Sequence, residues 1–429
     1  MTNICYRRVR IKQFRIIWIV LMFFFFMPAN YVLGETLTRW LNYSFVGLCF
    51  FSIWSIFFFS RFGYKMKRTT LSIIMLYFWC ILGSSLVNIM MGNKIDVSST
   101  IVGITTAIAY VIICDIGIWY SPKKTLEAIL IVGIIMCSIN AISILLLKNS
   151  GGMIKMVVNQ YGRLMSRNYY FLGEDNASYF WSWPVLVIAW LYYYVYNRRK
   201  YMKVICWGYT VLLLTSYMYV WSVLSFLASI AVPIVLFLFS GDLKRFKKST
   251  KLKYNKRGLS FNFMWITGLL FNFLLSIGLP LTYMAPVIQN VFHKSITLSG
   301  RVLIWEKSYL AIRNAFLTGY GFEPVAVSYL RISINHTHNL FLEVLYRGGI
   351  IGLIILCVTY ISLAKDSKTT KGNIISEYLK IMIFFFIIFS SIYFAFYRYH
   401  YLILFLLLSR LNSIDIMQKY NAKGIGGYE

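Results

Sequence analysis

The sequence predicts an all-α membrane protein with about twelve transmembrane helices, and three observations support this fold class. Apolar residues make up 59% of the 429 residues, charged residues make up only 13%, and long apolar runs recur along the whole chain. A run of roughly 20 apolar residues is long enough to cross the hydrocarbon core of a bilayer. This composition is typical of an integral membrane protein rather than a water-soluble one.

Twelve apolar runs are long enough to be spans. The first follows a basic segment, as a signal peptide would, but it is long and lacks a small-x-small cleavage site, so we expect it to be retained. Two boundaries rest on short interruptions of an apolar run, at Trp221 and at Tyr397-Arg398. The predicted spans cover approximately Ile16–Leu33, Leu41–Ser60, Thr69–Met91, Ser98–Trp119, Thr125–Leu147, Ala177–Tyr196, Lys203–Val220, Ser222–Ser240, Phe263–Tyr283, His338–Leu363, Glu377–Phe394 and Phe396–Leu411.

The distribution of Lys and Arg predicts that both termini lie in the cytoplasm. Basic residues accumulate in the cytoplasmic segments of membrane proteins. If the N-terminus is inside, the inner segments hold 30 of the 43 Lys and Arg residues, the outer segments hold 12, and one lies within a span. This asymmetry favours an even number of spans with both ends on the cytoplasmic side.

The net charge of +29 does not require a nucleic-acid partner. Most of this charge falls in inner segments, where anionic lipid headgroups would meet it. Six of the seven Cys residues fall within predicted spans and the seventh lies in the basic N-terminal tail. No disulfide framework or zinc cluster is therefore indicated, and we expect membrane lipids as partners.

Two long outer segments, Lys148–Asn176 and Met284–Thr337, are the places where a membrane enzyme could present its chemistry. We expect residues 1–429 to form one polytopic membrane domain, with residues 284–337 as the large outer loop between the ninth and tenth helices. From Arg301 onward, apolar and charged residues recur with helical spacing, which predicts an amphipathic helix at the interface. This helix would end at the Thr318-Gly319-Tyr320-Gly321 turn.

The start of the tenth predicted span is rich in functional side chains. Asn339, Glu343 and Arg347 follow one another at four-residue steps, which places them on one helical face. A Glu and an Arg within a span are costly against lipid, so we expect them to pair, either as a structural ion pair or beside a wet cavity. His338 either fixes the helix start or acts as a general base toward a sugar hydroxyl, and His336 could take the same role.

Several arginines in the predicted outer segments could bind an anionic substrate. A guanidinium can grip a diphosphate with two hydrogen bonds, and Arg301 is a candidate for that contact, although a solvated loop arginine is the alternative interpretation. Arg398 lies in a predicted tight outer turn, which is an unusual place for a basic residue because Lys and Arg accumulate in cytoplasmic segments. Together with these two, an electropositive outer cavity would draw on Arg163, Arg167 and Arg331.

The sequence lacks the usual acidic ligands of a metal-dependent sugar transferase. Its 14 acidic residues never occur as Asp-x-Asp, and the only adjacent pair is Glu174-Asp175. It also contains no phosphate-binding Walker loop and no nucleophile elbow. These absences favour a metal-free reaction on the outer face, with no cofactor.

The residues resemble a bacterial superfamily, the O-antigen ligases together with the polymerases of O-antigen and capsular polysaccharide. The resemblance in detail covers about fifty residues. It is carried by Ser299-Gly300-Arg301 with Trp305, by Leu317-Thr318-Gly319-Tyr320-Gly321, by His338-Asn339 with Leu342-Glu343, and by Gly348-Gly349-Ile350-Ile351-Gly352.

The resemblance implies a GT-C-like membrane glycosyltransferase of the bacterial cytoplasmic membrane that acts on glycans carried on undecaprenyl diphosphate. It implies that His338 and Arg301 are the catalytic pair. The family often has Ser-Arg or Thr-Arg where this chain has Val220-Trp221-Ser222, which puts one diphosphate contact in doubt. The candidate substrate-binding residues are Arg398, His336, Asn339, Glu343, Arg347, Trp305, Arg163 and Arg167.

Three functions remain open on the sequence. A polymerase would join undecaprenyl-diphosphate-linked repeat units, with such units as both donor and acceptor and with a flippase and a chain-length regulator as partners. A ligase would transfer the glycan to the lipid A core. We favour the polymerase because residues 171–176 are more similar to those of polymerases. A flippase for lipid-linked sugars is the third possibility, but transporters usually contain internal repeats and none is convincing here.

Overall fold

The structure of the chain is a computed structural model that describes residues 11–27, 30–160, 163–174, 177–245, 260–286, 289, 290, 298, 300–368 and 373–411. The segment from residue 246 to residue 259, which holds most of the largest basic cluster, lies outside this range, as does Ser299. Helices dominate the part of the chain that is described.

Residues 11–174 contain five helical stretches, followed by a small sheet, in the part of the chain that the structure describes. Residues 68–90 form one stretch in which a π-helical segment, Phe78–Gly83, separates two α-helices. The elements are α1 (Ile11–Phe25), α2 (Asn30–Ser60), α3 (Arg68–Tyr77), α4 (Ser84–Met90), α5 (Val97–Tyr120), α6 (Pro122–Leu147), β1 (Ile154–Gln160), β2 (Arg163–Tyr170) and β3 (Gly173–Glu174).

The second half continues with helices of very different lengths. The helix predicted from Arg301 onward is present and ends at Asn314, but its apolar residues do not form one buried face, since Leu303 and Leu310 are exposed. The elements are α7 (Tyr179–Val195), α8 (Lys200–Tyr219), α9 (Val223–Arg245), α10 (Phe261–Ser276), α11 (Leu279–Pro286), α12 (Arg301–Asn314), α13 (Val325–Ile332), α14 (Leu340–Lys368), α15 (Ile374–Phe389) and α16 (Leu402–Ser409).

Among the described residues, five helical stretches are long and apolar enough to cross a membrane: Val32–Ser60, Arg68–Met90, Val97–Tyr120, Pro122–Leu147 and Leu340–Lys368. They coincide with five of the predicted spans. Large apolar side chains of α2, such as Trp40 and Phe57, are exposed on its surface, as expected of a helix that faces lipid. These helices indicate a multi-pass membrane protein, while the count of twelve and the GT-C-like arrangement stay predictions.

The expectation of an all-α chain is incomplete, because the segment after α6 forms a small antiparallel sheet. Strand β1 pairs with β2 from Ile154 opposite Tyr169 to Gln160 opposite Arg163, and β2 pairs with β3. The turn before β3 is anchored on α6, since the Leu172 N–H donates to Asn140 Oδ1 at 2.7 Å. The sheet was missed because the sequence of its strands does not alternate strictly between apolar and polar residues.

The last two predicted spans, Glu377–Phe394 and Phe396–Leu411, have the wrong bounds. Helix α15 ends at Phe389, α16 is only eight residues long, and residues 390–401 between them are non-helical. Carbonyl groups of this connection accept hydrogen bonds from other elements, for example from the hydroxyl of Tyr179 to Tyr393 O at 2.7 Å. Such bonds replace helical ones, so an apolar run can leave the helix without losing hydrogen bonds. We name residues 390–401 the aromatic connection.

Helix α14 packs against α3, α10, α12 and α16 and so occupies the centre of the fold. Its glycines permit a close approach to the π-helical segment, because a Cβ at Gly352 would lie 3.0 Å from Cys80 Sγ. The indole N–H of Trp79 donates to Gly348 O at 2.8 Å across the same contact. The glycine motif of the sequence is therefore explained by packing between two central helices.

Helix α14 is also broken at Gly349, where φ is 61° and ψ is −160°. Backbone groups beside the break pair with the loop that follows α12. The Gly321 N–H donates to Arg347 O at 2.9 Å, and the Ile350 N–H donates to Phe316 O at 2.8 Å. The two glycine-rich motifs thus bind each other, and together they fix the first two turns of α14.

Candidate active site

The two predicted histidines lie side by side in the short connection between α13 and α14. The ring centroids of His336 and His338 are 4.1 Å apart, and both residues are buried. His338 has φ of +60°, a left-handed conformation that is uncommon for residues other than Gly, Asn and Asp. The backbone around the histidines is therefore strained, which often marks a functional site.

The buried pair of Glu343 and Arg347 holds this histidine connection in place. Arg347 Nε donates to Glu343 Oε1 at 2.8 Å, and Glu343 Oε2 accepts the Thr337 N–H at 2.7 Å. The other guanidinium nitrogens of Arg347 donate to Gly321 O at 2.9 Å and to Asn335 O at 2.7 Å. The predicted ion pair is confirmed, and its contacts join the connection to the loop beside the break of α14.

Asn339 joins three elements at the base of the same connection. Its side-chain nitrogen donates to Asn272 O on α10 at 3.1 Å and to Ser391 O in the aromatic connection at 3.0 Å. Its side-chain oxygen accepts the Leu342 N–H at 3.1 Å and so caps the start of α14. Asn339 is fully buried, so in this structure it orients neighbouring elements rather than facing a substrate.

Helix α12 contributes Trp305 and Arg301. Trp305 is fully buried, and its indole N–H donates to Thr337 O at 3.1 Å, so this hydrogen bond helps to hold the histidine connection in place. Arg301 is half-buried at the first turn of α12, where its Nη1 donates to Leu298 O at 2.8 Å. Its guanidinium also interacts electrostatically with the phenol of Tyr179.

Aromatic residues connect these groups, and no local pattern in the sequence predicts them. The ring of Tyr393 lies 4.8 Å from that of His338 and 5.4 Å from that of His336. The carbonyl of Tyr393 accepts the Tyr179 hydroxyl at 2.7 Å. Tyr179 thus lies between Arg301 and Tyr393, and this chain of contacts brings the predicted arginine of α12 to the histidine site.

Arg398 lies between two aromatic rings. Its Cζ is 3.9 Å from the ring centroid of Trp181 and 4.7 Å from that of Tyr397. Tyr397 also contacts His336, with ring centroids 6.1 Å apart, and it lies within electrostatic range of Glu174. Tyr397 is 36% exposed, more than Arg301 or Arg398, which are of intermediate burial.

The structure therefore brings most of the predicted site residues into one cluster. Arg163 and Arg167 lie on β2, but their side chains are outside the described residues, so their predicted role stays a prediction. Among the residues that are described, no group of three His, Cys, Asp or Glu side chains could hold a metal ion. The cluster offers a nitrogen base in the histidines and fixed cations in Arg301 and Arg398.

A buried acid lies next to this cluster, in the turn before α13. Glu323 accepts a hydrogen bond from Tyr346, and its carboxylate lies 3.5 Å from Arg331 Nε. Burial raises the pKa of Glu323, although the Tyr346 hydrogen bond and the charge of Arg331 act in the opposite direction. The folded protein therefore binds this proton more tightly than the unfolded chain does.

This pKa shift predicts a pH-dependent term in stability. The contribution of Glu323 is fully present below its unfolded pKa and is lost as pH rises through its folded pKa. We expect the unfolding temperature of the wild type minus that of Glu323→Gln to fall as pH rises from about 4 to about 7. Thermal unfolding of both proteins in one detergent measures this difference. A difference that stays constant or grows with pH would contradict the prediction.

The fold and the cluster define a polytopic, mainly helical membrane protein with a site of histidines and arginines. Residues 178–357 match the family model of the O-antigen ligase, a segment that contains both histidines and Arg301 but not Arg398. This segment of the chain is therefore similar to the O-antigen ligase family, in agreement with the resemblance seen in the sequence. Members of this family are glycosyltransferase-like enzymes, and the family points to lipid-linked glycans as substrates. Comparisons with curated proteins and with solved structures gave no match.

Proposed function

We propose that this protein polymerises undecaprenyl-diphosphate-linked oligosaccharide repeat units on the outer face of the bacterial cytoplasmic membrane. The observation that carries the proposal is one cluster in which aromatic residues link the two histidines to Arg301, through Tyr179 and Tyr393, and to Arg398, through Tyr397. Most of this cluster lies in the segment that matches the O-antigen ligase family. A base and nearby fixed cations are the parts that glycosyl transfer from a lipid diphosphate requires.

In the proposed reaction His338 accepts the proton of an acceptor hydroxyl. The oxygen of that hydroxyl forms a bond to the anomeric carbon of the donor glycan while the bond from that carbon to the diphosphate oxygen breaks. Undecaprenyl diphosphate leaves with the bonding electron pair, so no other energy source is required. Direct displacement inverts the configuration at the anomeric carbon.

The arginines would bind the leaving group. Negative charge develops on the diphosphate as the bond breaks, and fixed guanidinium groups in a site of low water content stabilise it. Arg301 is positioned by α12, and Arg398 is held by Trp181 and Tyr397. We propose that these cations take the place of a metal ion, and activity that persists in a chelator would agree with that.

The buried residues would act by positioning. Trp305, Asn339, Glu343 and Arg347 each hold the histidine connection or the start of α14, so we propose that they orient His338. Both histidines are nearly enclosed, with 5% and 4% of their surfaces exposed, so a substrate has to displace a neighbour to reach them. Tyr397 is the partly exposed side chain in contact with His336, and we propose that it moves.

The polymerase and the ligase share this chemistry and differ in the acceptor. The test is the glycan profile of cells that lack the protein and of the same cells complemented with wild type. Single repeat units on the lipid carrier in the deletion, and long chains after complementation, support a polymerase. Long chains that stay on undecaprenyl diphosphate in the deletion indicate a ligase, and repeat units retained on the inner leaflet indicate a flippase.

The arrangement of Arg398 between two rings gives a separate prediction. Arg398→Lys keeps the charge but loses the planar group that stacks on Trp181 and reaches two phosphate oxygens at once. We expect the rate of polymer formation to fall by about tenfold to a hundredfold, equivalent to the loss of a charged hydrogen bond. Radiolabelled repeat units in membranes at matched protein amounts measure this rate. Arg39→Lys, on the exposed surface of α2, is the control, and an equal effect of both changes would contradict the prediction.

A further inference from the structure

A cavity between α12, α13 and the loop that joins them is not used by the proposed reaction. It has a volume of about 450 Å³, which falls within the range of small-ligand sites. Helix α12, the turn after it and α13 form its wall. The lining residues are Lys307, Leu310, Ala311, Asn314, Tyr320 and Arg331. We name it the α12–α13 groove.

Two cations line the α12–α13 groove, and both retain hydrogen-bonding capacity. Lys307 Nζ donates to Ser333 Oγ at 2.6 Å, which uses one of its three N–H groups. The guanidinium of Arg331 stacks on Tyr320 at 3.8 Å, and its Nη1 is buried without a hydrogen-bond partner in the described part of the chain. A buried donor beside a cavity is costly unless a ligand or water fills the cavity.

Arg331 also contacts an acid, Glu323, which does not line the groove. Glu323 is buried, and its carboxylate is already occupied by Arg331 and by a hydrogen bond from Tyr346. Leu310 and Ala311 add an apolar strip next to the cations. A sugar ring that carries an acidic group would complement this surface, because it has an apolar C–H face and a negatively charged edge. Its carboxylate can accept two hydrogen bonds from one guanidinium group.

The groove is also joined to the histidine site. Ser333, which accepts from Lys307, is two residues from Asn335, whose carbonyl accepts from Arg347. On the other side, the turn before Glu323 binds the same Arg347 through Gly321 O. A glycan that occupied the groove would therefore lie on the loops that position the histidines.

We propose that the α12–α13 groove binds a sugar of the glycan that bears a carboxylate group. This inference rests on the proposed function only in taking the ligand to be part of the glycan that is polymerised. The groove would select acidic repeat units and hold them next to the site of transfer.

The test is direct binding to the full-length protein, purified in a neutral detergent. A short oligohexuronate, a neutral oligohexose of the same length and inorganic phosphate are each titrated, with intrinsic tryptophan fluorescence or thermophoresis as the readout. We expect saturable binding of the oligohexuronate, at least tenfold tighter than that of the neutral sugar. Arg331→Gln and Lys307→Gln should each weaken it by about tenfold, which corresponds to about 1.4 kcal/mol.

Arg313→Gln is the matched control, because Arg313 lies on α12 with an exposed side chain outside the groove. Equal binding of acidic and neutral sugars, or an equal effect of Arg313→Gln, would overturn the proposal. Binding of phosphate without binding of oligohexuronate would also overturn it, by assigning the groove to free phosphate groups. Because Arg331 contacts Tyr320 and Glu323, Lys307→Gln provides a second test if Arg331→Gln unfolds.

The result is separable from the proposed function. His338→Asn should bind the oligohexuronate as wild type does, because His338 does not line the groove. If the protein binds the oligohexuronate but the glycan profile of the deletion is normal, the proposed groove is supported and the proposed polymerase function is contradicted. If the deletion has the polymerase phenotype but the protein does not bind the oligohexuronate, the polymerase function is supported and the proposed groove is contradicted.

Discussion

Replacing His338 by Asn is expected to reduce polymer formation by about a hundredfold to ten-thousandfold, the usual contribution of a general base. Asn is the replacement of choice because His338 has a φ of +60°, a conformation that Asn tolerates better than most residues. An Asn side chain can also form hydrogen bonds but cannot accept the proton at neutral pH. The change therefore removes the base with little added backbone strain.

The measurement is the amount of long-chain glycan in deletion cells that express each variant at a matched level. His336→Asn serves as the comparison, because its ring lies 4.1 Å from that of His338 in the same environment. We expect a loss of about tenfold for His336→Asn, since it would only support the base. If His336→Asn has the larger effect, His336 is the base. If His338→Asn retains full activity, His338 is a structural residue.

Local patterns in the sequence were sufficient for the long helices and for one part of the site. The apolar runs of α3, α5, α6 and α14 predicted those helices, and the four-residue spacing of Glu343 and Arg347 predicted their pair. Such features depend on residues close in sequence, so one chain is enough to infer them.

The other half of the site could not be predicted, because it is made by contacts distant in sequence. Tyr393 lies 55 residues after His338 and contacts its ring only because residues 390–401 leave the helix. The stack of Trp181 on Arg398 joins α7 to the same connection. An apolar segment that turns back on itself has the same composition as a span, so hydropathy alone assigned it to the wrong structure.

Replacing Glu343 by Gln is expected to lower both stability and activity, because it leaves the buried charge of Arg347 without its partner. Removing one member of a buried ion pair typically costs about 3–5 kcal/mol. The pair of Asp115 and Arg410 is an internal reference, since it is equally buried and has two hydrogen bonds, at 2.6 Å and 2.8 Å. Asp115 lies about 28 Å along α5 from the end that contacts the loop before α13. We therefore expect Asp115→Asn to lose similar stability while the folded fraction remains active.

The comparison separates a structural role from a catalytic one. Thermal unfolding in detergent gives the stability of each variant, and polymer formation per folded protein gives its activity. Glu343 Oε2 accepts the Thr337 N–H next to His338, so Glu343→Gln should lower the activity per folded protein by about tenfold or more. Glu35→Gln, in an exposed pair with Arg39, should change neither quantity. If Glu343→Gln and Asp115→Asn lose stability alike and both stay fully active when folded, the pair on α14 serves the fold alone. The positioning of His338 would then have to come from Trp305 and Asn339, whose bonds to the histidine connection and the start of α14 do not depend on that charge.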